Sequence, residues 1–239
     1  MPLPDHKTKI ICTIGPASES LEVLEKMIRA GMDVARLNFS HGDYERHRRV
    51  IGNVRAAARA AGRRVAILGD LPGPKIRIGK LDREPVELHA GQSFTLTTRE
   101  TTGDGAGAST SLARLPDVVK RGDTLFLNDG IVQLEVQEVS GTEVRCRVAV
   151  GGEIRSRVGL NLPGIDLGIS AFTDEDRRWL RFAAGEGLDA VSQSFVERAS
   201  DIAAVREAAH AMAYHPLVIA KIERARALDG IDALLEAAD

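Results

Sequence analysis

The first 70 residues alternate between two hydrophobic periods, and nothing else in the chain limits the fold as strongly. Residues 9–15 (KIICTIG) are β-branched and run into Gly-Pro, the pattern of a short buried strand. SESLEVLEKMIRAG follows, with Leu21, Leu24 and Ile28 on one helical face. Ser18 or Ser20 can cap its start and Gly31 its end. DVARLNFS then reads as a strand, DYERHRRVIGNVRAAARAAG as a helix stopped by Gly62, and RRVAILGD as a strand. A β-α-β-α-β order calls for parallel strands joined by helical crossovers.

From residue 80 to 158 the helical period disappears. SFTLTT, DTLFLND, GIVQLEVQEV and TEVRCRVAV are short β-rich runs punctuated by Gly and Asp. This stretch is expected to be an inserted all-β domain, a small barrel or sandwich, with GDGAGAST as its flexible loop. After NLPG the βα rhythm returns. TDEDRRWLRFAAGEG is a helix opened by a Thr173–Asp176 capping box. LDAVSQSFV is a strand, SDIAAVREAAHAMA a helix and PLVIAKIE a strand, and GIDALLEAA opens a further helix. The expected division is therefore 1–79 and 159–239 for one α/β domain and 80–158 for the insert.

Charge narrows the function. The 239 residues carry 32 Lys plus Arg against 34 Asp plus Glu, a net charge of −2. That balance argues against a nucleic-acid or anionic-membrane binder, which needs a clustered basic excess. MPLPDHKTKI has no apolar core of a signal peptide, and no run approaches the ~18 apolar residues of a membrane span. The two cysteines, Cys12 and Cys146, lie too far apart in sequence for a thiolate metal motif. Reduced thiols and a cytoplasmic location are the expectation. Cys12, inside a strand, is expected in the core. Neither histidine pair, His41 with His47 or His210 with His215, has a convincing metal spacing, and Arg46, Arg48 and Arg49 read as a solvated helix face.

The chemistry is carried by parity. Arg36, Asn38 and Ser40 are two apart and project to one face if VARLNFS is a strand. Lys221 and Glu223 share a face in the same way, and the third strand ends in Asp70. All sit at C-terminal ends of strands, where α/β barrels keep their active sites. A lone Lys221–Glu223 pair could be a structural bridge on a barrel rim. Six such residues on three strands supply cations for an anion and carboxylates for a hard cation, the parts of a phosphoryl-transfer or enolate site.

At these residues the chain resembles pyruvate kinase. KIICTIGPAS, ARLNFSHG, GDLPGPKIRIG, NDG, GLNLPG, SQSFV and AKIE occur in that family's order and separations, over nearly the whole chain. The resemblance implies an incomplete TIM (β/α)8-type barrel whose β insert is a lid. It implies transfer of a phosphoryl group from phosphoenolpyruvate to ADP in glycolysis. Lys221 would be catalytic, and Arg36 and Arg77 would bind phosphate. Pro16, Arg36, Asn38, His41 and Asp129 would lie at the nucleotide. Glu223 would hold Mg²⁺, and Asn38, Ser40, Asp70 and the Leu71 carbonyl a monovalent cation. His41 could instead be a surface or capping residue, and Asp129 a hairpin-turn residue. A homo-oligomer is the family's habit.

Three departures stand out. Lys75 occupies a position where many members have the glutamate that accompanies bound K⁺, so its ammonium could replace the ion. Val158 replaces a lysine common before the lid's returning Gly, leaving Arg157 as the neighbouring cation. The chain also stops before a run like GIM-x-ARGD-LG, which supplies the second Mg²⁺ carboxylate, and before strands six to eight. Five strands cannot close a barrel, and the first and fifth are expected to be open edges. The alternatives are an impaired or inactive fragment of such a kinase, and another Mg²⁺-dependent barrel enzyme of pyruvate or phosphoenolpyruvate, an aldolase or lyase.

Overall fold

A computed structural model describes residues 7–239. Its elements in chain order are β1 (Ile10–Thr13), α1 (Leu21–Ala30), β2 (Met32–Asn38), α2 (Tyr44–Ala61), β3 (Ala66–Leu71), β4 (Val86–Leu88), β5 (Ser93–Thr97) and β6 (Gly107–Ser109). Then come α3 (Leu115–Val118), β7 (Thr124–Leu127), β8 (Val132–Ser140), β9 (Glu143–Val150), β10 (Gly152–Ile154), β11 (Leu160–Asn161) and α4 (Asp174–Glu186). The last are β12 (Ala190–Gln193), α5 (Ala199–His210), β13 (Leu217–Ala220) and α6 (Ile231–Ala237). The chain forms two compact units. One runs to Pro74 and resumes over Ser170–Asp239, and the other is Lys75–Ile169.

The first unit is α/β. Its five strands are parallel and ordered β1-β2-β3-β12-β13, with helices between successive strands. The helix ends are built from the residues that short polar side chains and glycine favour. Ser20 Oγ accepts the Val23 N–H, Asp43 accepts the Arg46 N–H, and Gly62 ends α2 in the left-handed region. Thr173 and Asp176 form the reciprocal capping box of α4. Leu24, Ile28, Leu37, Ile51, Leu71, Leu180, Val191 and Val205 bury the helix faces against the sheet. Beside them Phe39 stacks on Trp179, centroids 4.5 Å apart. Gly69 in β3 makes room for that ring, since a Cβ there would lie 2.6 Å from Phe39 Cε2.

β1 is not the buried strand its composition suggests. Ile10 and Ile11 are 45 % and 53 % exposed, because β1 is a sheet edge and pairs on one side only, with β2. Cys12 is half-buried against the core. β13 is the other edge, and its Leu217 is exposed. No helix among the described residues is long and apolar enough to cross a membrane.

The second unit is β-rich. Six strands are ordered β11-β7-β8-β9-β5-β6, and β4 pairs with β10 separately. Only α3, a single turn, and a 3-10 turn at Asn128–Gly130 interrupt the β structure. Phe94, Leu96, Leu125, Leu134, Val144 and Val148 are among the side chains that fill its core. Its edges fall at Lys75 and Ile169, wider than the expected 80–158. The isolated bridges Arg77–Gly159 and Ile78–Thr110 draw the entering and leaving segments into it. GDGAGAST is not a flexible loop. Gly107–Ser109 is β6, parallel to β5, and a Cβ on Gly107 would run into the Thr95 carbonyl. The glycines there permit close backbone approach rather than disorder.

Candidate active site

The site lies in the first unit, where four neighbouring parallel strands end at one level. Register places Asn38 beside Asp70, Asp70 beside Ser192, and Gln193 beside Ala220. Asp70 is the hub and is only 2 % exposed. Arg36 reaches it from β2 with Nε at 3.0 Å and a second short contact from its Nη2. Ser192 donates its hydroxyl to Asp70 Oδ1 at 2.8 Å, and the Lys221 ammonium lies 3.1 Å from the same oxygen. The other arm of Arg36 donates to Thr13 Oγ1 at 2.6 Å.

Lys221 closes the constellation. Its Nζ donates to Ser194 Oγ at 2.7 Å, and Ser194 Oγ donates to the Leu71 carbonyl at 2.7 Å. Glu223 Oε1 lies 3.2 Å from Lys221 Nζ, while its Oε2 accepts the Phe195 N–H at 3.0 Å. Arg36, Asp70, Lys221 and Glu223 therefore form one connected, formally neutral cluster. The two cations remain partly in water, with side chains 29 % and 26 % exposed. A negatively charged ligand can meet an ammonium and a guanidinium that the protein already holds in place, so little reorganisation is left for the moment of reaction. Glu223, the most open of the four, offers hard oxygens of the kind Mg²⁺ takes, one or two carboxylates completed by substrate and water.

The remaining expected residues divide. Asn38 ends β2, and its Oδ1 accepts the Ser40 N–H at 3.0 Å. Ser40 is therefore in a turn, not on the strand as its parity suggested, because the Asn38 side chain offers the backbone a local partner instead of the ladder. Lys221 and Glu223 likewise lie just past β13, whose last residue is Ala220. His41 is exposed and its carbonyl accepts from His47 Nε2 at 2.8 Å. His47 is buried under Phe39 and Trp179, and that desolvation lowers its pKa. Pro16 is exposed after β1. The residues Lys75, Arg77 and Asp129 belong to the second unit. Arg77 Nη1 donates to the Arg157 carbonyl at 3.4 Å, and Asp129 sits exposed in the tight turn between β7 and β8 at φ 55°. Arg46 and Arg49 are less free than a solvated face implies: both pair with Glu19, at 2.7 and 3.6 Å, and Arg48 pairs with Glu186 at 2.7 Å.

Residues 5–239 match the family model for the pyruvate kinase barrel domain. The chain belongs to the pyruvate kinase family. It is 46 % identical over 239 residues to the pyruvate kinase of Thermococcus litoralis, covering all of this chain and 50 % of that protein. It is 43 % identical to that of Geobacillus stearothermophilus over 98 % of this chain and 40 % of the relative. For Thermotoga maritima the figures are 41 %, 98 % and 50 %. The chain thus spans about half the length of the pyruvate kinases it matches.

In this cluster Thr13, Ser192, Ser194 and the Phe195 amide were not among the expected residues. Two of these had a usable signal. Ser192 and Ser194 in SQSFV are two apart, the same parity that singled out Arg36 and Asn38, at the end of a strand between β3 and β13. Thr13 and a main-chain N–H carry no such mark.

Proposed function

We propose that the protein transfers the phosphoryl group of phosphoenolpyruvate to ADP, giving pyruvate and ATP, with a proton taken up at the methylene carbon. The observation that carries this reading is the convergence of Arg36, Asp70, Lys221 and Glu223 at the ends of parallel strands. In this reading the five-stranded sheet is part of a (β/α)8 barrel, and the β unit is a lid that closes over the nucleotide. Arg36 binds the transferred phosphoryl group. The Lys221 ammonium opposes charge on that group in flight and on the enolate oxygen left behind. Asp70 holds both cations in place and Ser194 orients Lys221. Arg77 from the second unit adds a phosphate contact, and Pro16, Asn38, His41 and Asp129 border the nucleotide.

Glu223 suits Mg²⁺, which would supply Lewis-acid polarisation of the substrate oxygens. The hard oxygens of Asn38, Ser40, Asp70 and the Leu71 carbonyl suit a monovalent cation. Asp70 and the Leu71 carbonyl already accept from protein donors. Together with Lys75, that favours activity without K⁺, and rates in K⁺ and in tetramethylammonium salts should be equal. The reaction is tested by coupling pyruvate formation to lactate dehydrogenase and following NADH. Phosphoenolpyruvate-dependent turnover is expected with Mg²⁺, and Lys221→Met should lower it by about 10²–10³-fold, the range seen when one preorganised electrostatic group is removed. No pyruvate from the wild-type protein, or turnover that survives Lys221→Met, would refute the proposal.

A further inference from the structure

Asp176 carries a carboxylate with 0 % exposure, yet it touches none of the four charged groups of the site. Its Oδ2 serves α4, accepting the Thr173 N–H at 2.8 Å and the Thr173 hydroxyl at 2.7 Å. Its Oδ1 reaches across the fold and accepts the Gly73 N–H at 2.9 Å. The Gln193 side chain also hydrogen-bonds this carboxylate; all these partners are neutral, and a buried carboxylate without a cation is costly. A helix cap alone does not require it, since an exposed Ser or Asp caps equally well.

Gly73 is in the turn that follows β3, at φ +64°. It lies so close to the chain leaving β12 that a Cβ would stand 2.9 Å from the Ser194 carbonyl and 3.0 Å from Phe195 Cδ2. Both charged groups beyond β13 hang on that same segment: Lys221 on the Ser194 hydroxyl, Glu223 on the Phe195 N–H. Phe195 has φ +60°, a left-handed conformation that is unfavourable for any residue with a Cβ. Such a conformation persists only where its surroundings hold it. Gln193 Nε2 holds the Ser194 carbonyl at 3.1 Å. The Arg224 guanidinium, tied to Glu197 at 2.6 Å, lies 5.4 Å from the centre of the Phe195 ring. The third brace is Gly73, and Asp176 stands behind it.

We propose that Asp176 is a positioning residue: by holding the Gly73 N–H it presses the 71–74 turn against Ser194–Phe195 and so sets where the Lys221 ammonium and the Glu223 carboxylate stand. The catalytic consequence rests on the phosphoryl-transfer reading above; the bracing itself does not.

Two measurements on the intact protein separate these. Amide hydrogen exchange needs no activity. In Asp176→Ala the Phe195 amide should exchange at least 10-fold faster, while amides in α2 stay unchanged. In Asp176→Asn, which keeps an oxygen for Gly73, exchange should stay within about 3-fold of wild type. In the coupled assay Asp176→Ala should lower kcat 10- to 100-fold, the scale of an ~1 Å displacement of reacting groups, at a temperature where circular dichroism shows it folded. Asp176→Asn should recover most of that loss. If Asp176→Ala does not fold, Gly73→Ala displaces the same segment from the front and should give the same two changes. An unchanged Phe195 exchange rate in the folded variant overturns the bracing. Altered exchange with unchanged kcat overturns its catalytic role. A wild-type protein without turnover refutes the reaction, and the exchange result still decides the bracing.

Discussion

Replacing Asp70 with Asn isolates what the hub contributes. The two side chains have the same shape, so the change removes charge without opening a cavity. Asp70 accepts from two nitrogens of Arg36, from Ser192 and from Lys221. Asn offers one oxygen and turns an amide donor toward other donors. Hydrogen bonds to charged groups contribute about 1.5–3 kcal/mol each, and stripping one partner from a buried ion pair costs about 3–5 kcal/mol. Arg36 and Lys221 keep about a quarter of their side-chain surface in water, which softens the penalty. The expected loss is therefore roughly 2–4 kcal/mol. The chain's one tryptophan, Trp179, is stacked on Phe39 in the same unit, so its fluorescence reports unfolding of that unit. With a urea slope of about 2 kcal/mol per molar, the midpoint should fall by roughly 1–2 M. Asp70→Asn also leaves two cations facing each other, so Lys221→Met should cost less in that background than in wild type, a coupling of at least ~0.5 kcal/mol for side chains in contact. A midpoint that moves by less than about 0.3 M, or strictly additive losses, would show that Asp70 does not hold the cluster together.

Other expectations follow from single environments. Burial pushes the Cys146 thiol up to about 12, so at pH 8 only about one thiol in 10⁴ is ionised; in Cys12→Ser, which leaves Cys146 as the single thiol, labelling by iodoacetamide should require unfolding of the second unit, and rapid labelling of that native variant would contradict the burial. His47 has its pKa lowered by desolvation, so the unfolded chain binds its proton more readily. Its contribution is complete above the ordinary value near 6.5 and is lost as pH falls through it. Urea midpoints from pH 7.5 to 5.5 should drop more steeply for wild type than for His47→Gln. Gly107→Ala forces a methyl into the Thr95 carbonyl and should destabilise the second unit by about 1–3 kcal/mol, the usual cost of overpacking; circular dichroism melts that match wild type would show that β5 and β6 have room to part.

What could be read from the sequence follows from which forces act locally. Helix caps involve contacts three or four residues apart, and Ser20, Asp43 and Thr173 behave as their types dictate. Parity survives as long as the ladder does, which placed Arg36 and Asn38 correctly on β2. It fails two residues later, at Ser40, because the Asn38 side chain takes the Ser40 N–H and turns the chain. Burial is harder, since a β-branched run looks the same at a sheet edge as at its centre. β1 is exposed for want of a neighbour, not for want of hydrophobicity. Glycine is ambiguous for a related reason: it allows a loop to move and allows two backbones to touch, and only the Thr95 carbonyl behind Gly107 decides between them.

The site itself shows where local reading ends. Its charged residues stand out because charge at a strand end demands a partner. The groups that aim them, Ser194, the Phe195 amide and Asp176, are ordinary in sequence and matter only through neighbours far along the chain. Asp176 illustrates this most plainly. The capping box accounts for its presence at the third position of α4 and makes it look fully employed. Only the fold reveals the second oxygen, and with it the reason this cap is buried: it faces the turn after β3 instead of water. Burial raises its pKa against the hydrogen bonds that favour the carboxylate, and what the Gly73 N–H needs is an oxygen, charged or not. That is why the Asn variant, which keeps one oxygen for Gly73 while it discards the charge and the Thr173 N–H acceptor, separates the anchor on Gly73 from the charge and from the helix cap.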